Sequence, residues 1–508
     1  MAFNPDGLLE LARQCRRFNL GGRCLTLGRQ DVNVTLEAAA SLLVRTGHLQ
    51  IEPSGGLRMP VMLAIMMQTG RHLSPKPQLR AMSFISDKAL FAALGFTAME
   101  SVDVSAYEGA DFVYDMNLPG MGARLGSTYD FVLDASTTEH VYDFPTALEN
   151  IHDVLAVGGV LIQSMALGNR LDHGFYQATP ELLLDYYETN GYEILACEIT
   201  RLLITPTIAQ QPFMGGILMR PALAYARGVL DDRNDGGMDA GAYKVCIAAR
   251  KTERSTKGRF PTPPSLAWTA KPGRFPIDAL RRLEAARRSF GLGGACLTLG
   301  ANPGFADRRA LGQAGDGALS DREALQALGF ARVTVLDSAA GPGVDLVADL
   351  NRLEPAPSAG GPFDFVLDWG ASSRVFRLAQ LFQNLLAAVR IGGVIWHIVP
   401  SQNLLGRGCY MICPTLLHDF YTTNRWEILE FEIAHVRAWH DPAWFATPYD
   451  PGSIDFMSFG GAPEGAFLSA VMVRRTADST ADRIPQQSWF SRHTTFDAGL
   501  APEQSASA

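Results

Sequence analysis

An internal repeat constrains this 508-residue chain more than any other feature of its sequence. The segment Leu20–Gly28 (LGGRCLTLG) recurs as Leu292–Gly300 (LGGACLTLG). From Ser86 onward the second half follows the first at a constant offset of 234 residues, so that Asp130–Asp134 (DFVLD) returns as Asp364–Asp368. A register kept over such a length identifies a repeated structural unit. The sequence therefore predicts two copies of one domain, fused head to tail.

The predicted boundaries follow from composition and length. A chain of this length exceeds a single hydrophobic core. Residues 1–250 form the first predicted domain and residues 277–476 the second. Residues 251–276 are rich in Pro, Lys, Thr and Ser and are interpreted as a linker, and the polar residues 477–508 as a flexible tail.

The first copy carries an insertion. The offset between the copies is 272 residues at Gly28 and 234 from Ser86, so the first copy has 38 extra residues, near positions 45–82. They include the Met-rich run Met59–Met67. Two interpretations stay open: an added helix packed on the domain, or a lid or apolar substrate wall, since Met is an adaptable side chain.

Within each copy, short apolar runs alternate with helical patterns. This alternation predicts an α/β fold with a mostly parallel sheet, here two tandem Rossmann-like, doubly wound domains. In the first copy the predicted strands are Cys24–Leu27, Ala98–Val102, Phe112–Tyr114, Phe131–Leu133, Val160–Ser164, Glu193–Leu203 and Tyr243–Ala249, and the predicted helices are Asp87–Leu94, Phe144–Val154 and Pro180–Asn190.

Acidic residues follow three consecutive predicted strands, at the sheet edge where doubly wound folds bind ligands. Asp103 ends the second strand, where a carboxylate can accept hydrogen bonds from ribose hydroxyls. Asp115 follows the third strand, where adenine edges commonly lie, and Asp134 ends the fourth, towards a reaction centre. Aspartate also caps helices and starts turns, but three at successive strand ends favour ligand contact.

A series of motifs resembles class I S-adenosylmethionine-dependent methyltransferases. Tyr129–Asp134 (YDFVLD) is followed by Glu139–Val141 (EHV), a helix that ends at Val154, and Val157–Leu161 (VGGVL). Residues 169–182, with Asn169, His173 and Tyr176, are similar to a segment of the family's bacterial branch near surface-glycan and small-molecule clusters. The resemblance implies S-adenosylmethionine as cofactor and a small-molecule or glycan acceptor.

The first loop departs from the family's pattern. The family has an acidic residue and then Gly-x-Gly-x-Gly, whereas Thr26–Val32 (TLGRQDV) keeps one glycine and places side chains where close cofactor approach needs none. The resemblance assigns the cofactor to this loop and to the strand-end carboxylates, namely Gly28, Arg29, Gln30, Asp103, Asp115 and Asp134.

The two copies differ at the positions that carry chemistry. Ser373 and Arg374 replace Glu139 and His140, and Arg407 replaces His173, whereas the scaffold carboxylates are kept as Asp337, Asp349 and Asp368. Because a duplicated domain can lose its site while keeping its core, the second copy is predicted to be non-catalytic. It would cover the first site or mediate homodimerisation.

Methyl transfer is an in-line displacement that requires oriented reactants. A hydroxyl acceptor also benefits from a base, and His is suited to that role near neutral pH. The hypothesis makes His140 the base or substrate orienter with Glu139 as its partner, and places His173 and Tyr176 along the acceptor pocket. The alternative is structural: Glu139 and His140 cap the next helix, and His173 packs in a loop.

Two other functions are considered. With an altered first loop in both copies, the chain could be a non-catalytic scaffold, because a fold alone does not define function. An NAD-dependent enzyme is less favoured, because no Gly-x-Gly-x-x-Gly follows the first strand.

Composition narrows the range of partners. A net charge of -8 without a basic stripe argues against nucleic acid. The run Met59–Met67 is shorter than the roughly 20 residues that span a bilayer, and Met1–Leu11 lacks a secretory pattern, so we expect a cytoplasmic protein without a membrane partner. The chain has seven cysteines, and only Cys409 and Cys413 are closely spaced. This pattern predicts neither a disulfide framework nor a metal site.

Overall fold

A computed structural model of the chain describes most of its residues. The described ranges are 2–54, 56–106, 109–204, 217–219, 223–227, 241–261, 277–302, 304–312, 314, 316–352, 361–404, 408–436, 444–454, 457 and 462–488.

Two large sheets dominate the fold, one in each half of the chain. The main strands of the first half are β1 Gly22–Leu27, β2 Phe96–Asp103, β3 Phe112–Val113, β4 Tyr129–Ala135, β5 Leu155–Gly168, β6 Tyr176–Ala178, β7 Glu193–Ile204 and β8 Ala242–Arg250. Those of the second half are β9 Ala295–Leu299, β10 Arg332–Asp337, β11 Leu346–Val347, β12 Phe363–Trp369, β13 Val389–Gln402, β14 Tyr410–Ile412, β15 Glu427–Val436 and β16 Ala466–Arg474.

The two sheets have the same strand order. The first runs β3-β2-β1-β4-β5-β8-β7 and the second β11-β10-β9-β12-β13-β16-β15. Strands β1 to β5 pair in parallel, and β8 joins antiparallel between β5 and β7; the second sheet repeats this pattern. The order reverses at β1, between β2 and β4, which defines the switch point of a doubly wound sheet. The predicted α/β class with two Rossmann-like units is confirmed.

Helices cover the sheets, and some of them begin at a capping side chain. Ser86 accepts from Ala89 N, and Thr179 accepts from Leu182 N beside a proline at the first helical position. The helices are α1 Pro5–Arg17, α2 Leu36–Arg45, α3 Val61–Gln68, α4 Pro77–Ala81, α5 Asp87–Ala93, α6 Met121–Leu125, α7 Phe144–Val154, α8 Pro180–Thr189, α9 Ile277–Phe290, α10 Asp321–Ala327, α11 Leu378–Ala388 and α12 Pro414–Thr423.

The remaining elements are short, and some of them extend the two main sheets: Ile217–Met219 and Leu223–Ala224 pair with β7, and Phe445–Pro448 pairs with β15. Turns of 3-10 helix occur at Thr138–His140, Arg308–Leu311 and Ala371–Arg374. The short strands are Ala2–Phe3, Asp31–Val32, Gln50–Ile51, Leu57–Arg58, Ile217–Met219, Leu223–Ala224, Ala306–Asp307, Ala318–Leu319 and Phe445–Pro448.

The two units meet through equivalent elements. Strand β6 pairs antiparallel with β14, with Gln177 opposite Met411. On either side of this pairing, Thr179 N donates to Cys409 O and Cys413 N donates to Phe175 O. Position 413 corresponds to position 179 and position 409 to position 175 under the 234-residue offset, so each bond is the equivalent of the other. The junction therefore has an approximate two-fold relation, as an isologous dimer interface does.

A short strap follows the last strand of each unit and returns to the helix of the same unit. In the first unit, Asn190 Nδ2 donates to Arg259 O and Thr256 N donates to Asn190 O. In the second unit, Asn424 makes the same two bonds with Arg483 and Thr480. Residues 251–261 lie in the predicted linker and residues 477–488 in the predicted tail, and both segments contact the units through these bonds.

The insertion in the first unit forms α3, α4 and a two-stranded hairpin of Gln50–Ile51 with Leu57–Arg58. Most of the Met-rich run lies in α3, a helix whose Leu63 is buried in the core. No helix in the described ranges is long and apolar enough to cross a membrane.

Candidate functional site

The turn after β1 needs a glycine at position 28. Gly28 has a φ of +71°, and its N–H donates to Val102 O. A Cβ at this position would lie 2.8 Å from Thr137 Oγ1. The left-handed backbone of Gly28 disfavours a side chain at this position, and the turn after β4 leaves no space for one.

Arg29 is held by the start of α5. Its Nε lies 2.7 Å from Asp87 Oδ2, its Nη2 donates to Asp87 Oδ1, and its Nη1 donates to Gly109 O. Burial raises the pKa of Asp87, and the Arg29 guanidinium opposes that shift. Arg29 therefore fixes the loop to α5 rather than standing open to a ligand.

Gln30 fills the turn where the family's second glycine would lie. The residue is 2% exposed, and its Nε2 donates to the carbonyl oxygens of Leu27 and Gly28 at 3.3 and 3.2 Å. A bound nucleoside that approached the backbone here would have to displace this amide.

The carboxylates after β2 and β3 are partly exposed and make local contacts. Asp103 Oδ2 accepts from Arg29 N at 3.3 Å, which ties the end of β2 to the first turn. Asp115 Oδ1 accepts from both the backbone and the side-chain nitrogen of Asn117, at 2.9 and 2.7 Å. Asp103 thus lies beside the turn after β1, whereas Asp115 organises its own turn, and cofactor binding by both residues stays a prediction.

Asp134 is fully buried beneath the 3-10 turn Thr138–His140. Its Oδ1 accepts from Thr137 N at 2.8 Å, and its Oδ2 accepts from Thr138 Oγ1 and from Gln163 Nε2. Burial raises the pKa of Asp134 to about 6, against the lowering effect of these hydrogen bonds. The sequence had suggested that Asp134 faces an open reaction centre. The structure shows instead that Asp134 supports the turn.

Glu139 is fully buried at the centre of a polar cluster. Its Oε2 accepts from Ala166 N of β5 at 2.6 Å, while its Oε1 lies 3.4 Å from His173 Nε2 and 3.9 Å from His140 Nε2. Burial alone would raise the pKa of Glu139, but the adjacent His173 and the charge of Arg170 lower it to about 2. The carboxylate is therefore ionised at neutral pH.

His140 is half-buried and oriented by the second unit. Its Nδ1 lies 2.7 Å from Gln487 Oε1, and Gln487 Nε2 donates to His173 O at 3.1 Å. In this assignment of the Gln487 amide, the oxygen only accepts, so Nδ1 carries the proton and the neutral ring leaves Nε2 without one. Burial lowers the pKa of His140 although the Glu139 charge opposes this.

His173 contacts the buried Arg170 through its Nε2. Burial first, and then the charge of Arg170, lower the pKa of His173 to about 3. The cluster at neutral pH thus consists of one carboxylate, one guanidinium and two neutral imidazoles, and its formal charges balance.

The same cluster has the composition of a metal site. One ligand atom each of Glu139, His140 and His173 lies within 4.8 Å of the other two, the two-His-one-carboxylate set that divalent transition metals accept. Arg170 already supplies a positive charge at His173 Nε2, so a metal ion would have to displace that guanidinium.

Tyr176 lies between the two units and not along an open pocket. The side chain is 1% exposed, its hydroxyl donates to Tyr142 O, and its ring lies 4.9 Å from that of Tyr410. The sequence interpretation of Tyr176 as a substrate contact is therefore replaced by a role in packing the junction.

The second unit keeps the scaffold of this site but carries different polar groups. His397 replaces Gln163 and links Asp368 to Tyr421, with His397 Nδ1 2.6 Å from Asp368 Oδ2. Ser373 and Arg374 lie where the first unit has Glu139 and His140.

Sequence reasoning missed three residues of the cluster. Arg170 lies three positions before His173, in a segment already singled out, and its charge was the available signal. Gln163 lies within an apolar strand, and Gln487 lies in the predicted tail. Nothing local to the sequence connects Gln487 with His140, 347 residues away.

Comparison with known proteins gives only distant similarity. No protein-family model matches this sequence, and no curated protein is significantly similar to it. Similar solved structures include the 1,6-didemethyltoxoflavin-N1-methyltransferase of Burkholderia thailandensis, 14% identical over 39% of this chain and 78% of that one, with a TM-score of 0.25. TehB of Haemophilus influenzae is 12% identical over 56% and 87% of the respective chains, with a TM-score of 0.24.

A phospholethanolamine N-methyltransferase 2 of Haemonchus contortus is 11% identical over 82% of this chain and 99% of its own, with a TM-score of 0.24. Scores of this size carry no argument about the chain, and its fold class is defined by its own strand order.

Proposed function

We propose that the first unit is an S-adenosylmethionine-dependent methyltransferase for a small-molecule or glycan hydroxyl or amine, acting in the cytoplasm, and that the second unit arose by duplication and is non-catalytic. The observation that carries the proposal is the position and the tautomer of His140. The contact of His140 Nδ1 with Gln487 Oε1 assigns the ring proton to Nδ1 and leaves Nε2 able to accept one. The ring lies beside the buried Glu139 carboxylate and follows β4 at the carboxyl edge of a doubly wound sheet.

The residues at this edge fit the cofactor in part. Asp103 is partly exposed beside the Gly28 turn, where ribose hydroxyls can reach a carboxylate. Gln30 must leave the carbonyls of Leu27 and Gly28 before the backbone can be approached. When bound, the cofactor supplies an activated methyl group on a sulfonium.

The protein's own contribution is orientation and removal of a proton. With the cofactor bound as methyl donor, His140 Nε2 would accept the proton of an acceptor hydroxyl that is oriented beside it. Glu139 Oε1, 3.9 Å from that nitrogen, stabilises the resulting imidazolium. Gln487 holds the ring in the required tautomer, as the partner of a catalytic histidine does.

A non-catalytic scaffold is the second candidate, and the position of Gln30 favours it. A buried glutamine that satisfies the carbonyls of the first turn stabilises a closed loop without any ligand. In that case the polar cluster around Glu139 would serve only to hold the two units together.

Titration calorimetry with S-adenosylmethionine separates the two candidates. We expect one binding site per chain, and Asp103→Ala should weaken binding by about 10- to 100-fold, since a hydrogen bond to a charged group contributes about 1.5–3 kcal/mol. The matched variant Asp337→Ala, at the equivalent position of the second unit, should leave binding unchanged. No heat with the wild-type protein would favour the scaffold.

Substituting Gln487 tests whether the second unit tunes the first. In Gln487→Glu, a carboxylate facing His140 Nδ1 should favour the imidazolium and raise the pKa of His140. Because the base must be neutral, we expect the acid limb of kcat/KM, which should lie below pH 6.5 in the wild type, to move to higher pH. The neighbouring variant Gln486→Glu is the control, and an unchanged profile in Gln487→Glu would remove Gln487 from this role.

A further inference from the structure

Helix α3 of the insertion presents an apolar face to solvent. Its eight residues, Val61–Gln68 (VMLAIMMQ), carry no charge. Leu63 is 1% exposed and packs into the core, whereas Val61, Met62 and Ile65 are 76, 46 and 49% exposed. Positions 61, 62 and 65 lie on one side of a helix. A helix that is apolar on every side is normally buried or in contact with lipid, and nothing in the described part of the chain covers this side.

The sequence segment that carries α3 has a net charge opposite to that of the whole chain, and one of its basic residues, Lys76, pairs with Asp31. Residues 45–82 contain five basic residues and one acidic residue, Glu52, for a net charge of +4, while the whole chain carries -8. Arg58 and Arg71 flank the helix in sequence and are both exposed. Among the described residues, neither of these arginines has an ion-pair partner. The basic residues are Arg45, Arg58, Arg71, Lys76 and Arg80.

We propose that α3, flanked by Arg58 and Arg71, docks this protein on the surface of an anionic lipid bilayer. Val61, Met62 and Ile65 enter the boundary between headgroups and acyl chains, and the two arginines contact lipid phosphates. An otherwise acidic protein is repelled by such a surface, so the local reversal of charge selects this face. The proposal departs from the sequence-based expectation of no membrane partner, which rested on the lack of a segment long enough to span a bilayer. The proposal is independent of methyl transfer.

Sedimentation with lipid vesicles tests the proposal on the full chain. We expect binding to vesicles of equal parts phosphatidylglycerol and phosphatidylcholine, and little binding to phosphatidylcholine alone. Arg58→Gln with Arg71→Gln should weaken binding roughly 30-fold, because each basic residue near an anionic surface contributes about 1 kcal/mol. Met62→Glu with Ile65→Glu should weaken it at least as much. Val157→Glu, at an equally exposed valine of β5, is the matched control.

These substitutions lie at exposed positions, so the thermal unfolding midpoint should stay unchanged, and that measurement accompanies each variant. Equal affinity for both kinds of vesicle, or unchanged binding in both double variants, would overturn the proposal. So would a wild-type dimer that Met62→Glu with Ile65→Glu converts to a monomer without any binding to vesicles, because the face would then contact a second copy of the chain.

Discussion

Replacing His140 with alanine should reduce the rate of methyl transfer by about 10²- to 10⁴-fold, the contribution typical of a positioned general base. The loss should appear in kcat more than in the binding of S-adenosylmethionine, because His140 acts on the acceptor's proton and not on the cofactor. Single-turnover measurement of methylated product, with an acceptor found by screening hydroxyl and amine compounds, provides the rate.

Arg374→Ala is the matched control for this variant, because Arg374 lies at the equivalent position of the second unit. It should leave the rate within about twofold of the wild type if both proteins unfold at the same temperature. If His140→Ala folds normally and forms product at the wild-type rate, His140 takes no part in the chemistry.

Replacing Glu139 with glutamine should destabilise the first unit by about 3–5 kcal/mol, the usual effect of removing one member of a buried charged pair. The charge of the Glu139 carboxylate stabilises the buried Arg170 guanidinium, and glutamine removes that charge. Urea unfolding followed by fluorescence measures the change.

Restoring the balance provides the control for the Glu139 prediction. Glu139→Gln combined with Arg170→Met should recover most of the loss, because no unpaired charge remains.

The pKa of Glu139, about 2 when folded, lies below its unfolded value of about 4.3, so its stabilisation is present above pH 4.3 and is lost as the pH falls towards 2. Equal effects of the single and the double substitution would contradict an electrostatic role for Glu139.

The sheet architecture could be predicted from the sequence because it depends on local patterns. The run Phe131–Leu133 lies within β4, and Val160–Ser164 lies within β5, both buried. Helix α7 begins and ends where the sequence placed it, at Phe144 and Val154. Apolar periodicity and capping residues specify such elements without reference to distant parts of the chain.

The polar site could be predicted only in part, because its contacts join distant segments. Glu139, His140 and His173 were identified together, and the structure places them together. The use of Asp134 as a support for the turn depends on Gln163, and the burial of Tyr176 depends on Tyr410 in the other unit. No single segment carries the information that these pairs meet.

A crystal structure of the full chain grown with S-adenosylhomocysteine tests the central claim most directly. The account predicts electron density for the adenosyl group above Asp103, with ribose hydroxyls on that carboxylate and Gln30 turned away from the carbonyls of Leu27 and Gly28. Crystals that show no ligand there at saturating concentration, with the Gln30 amide still bound to both carbonyls, would contradict a cofactor site in the first unit.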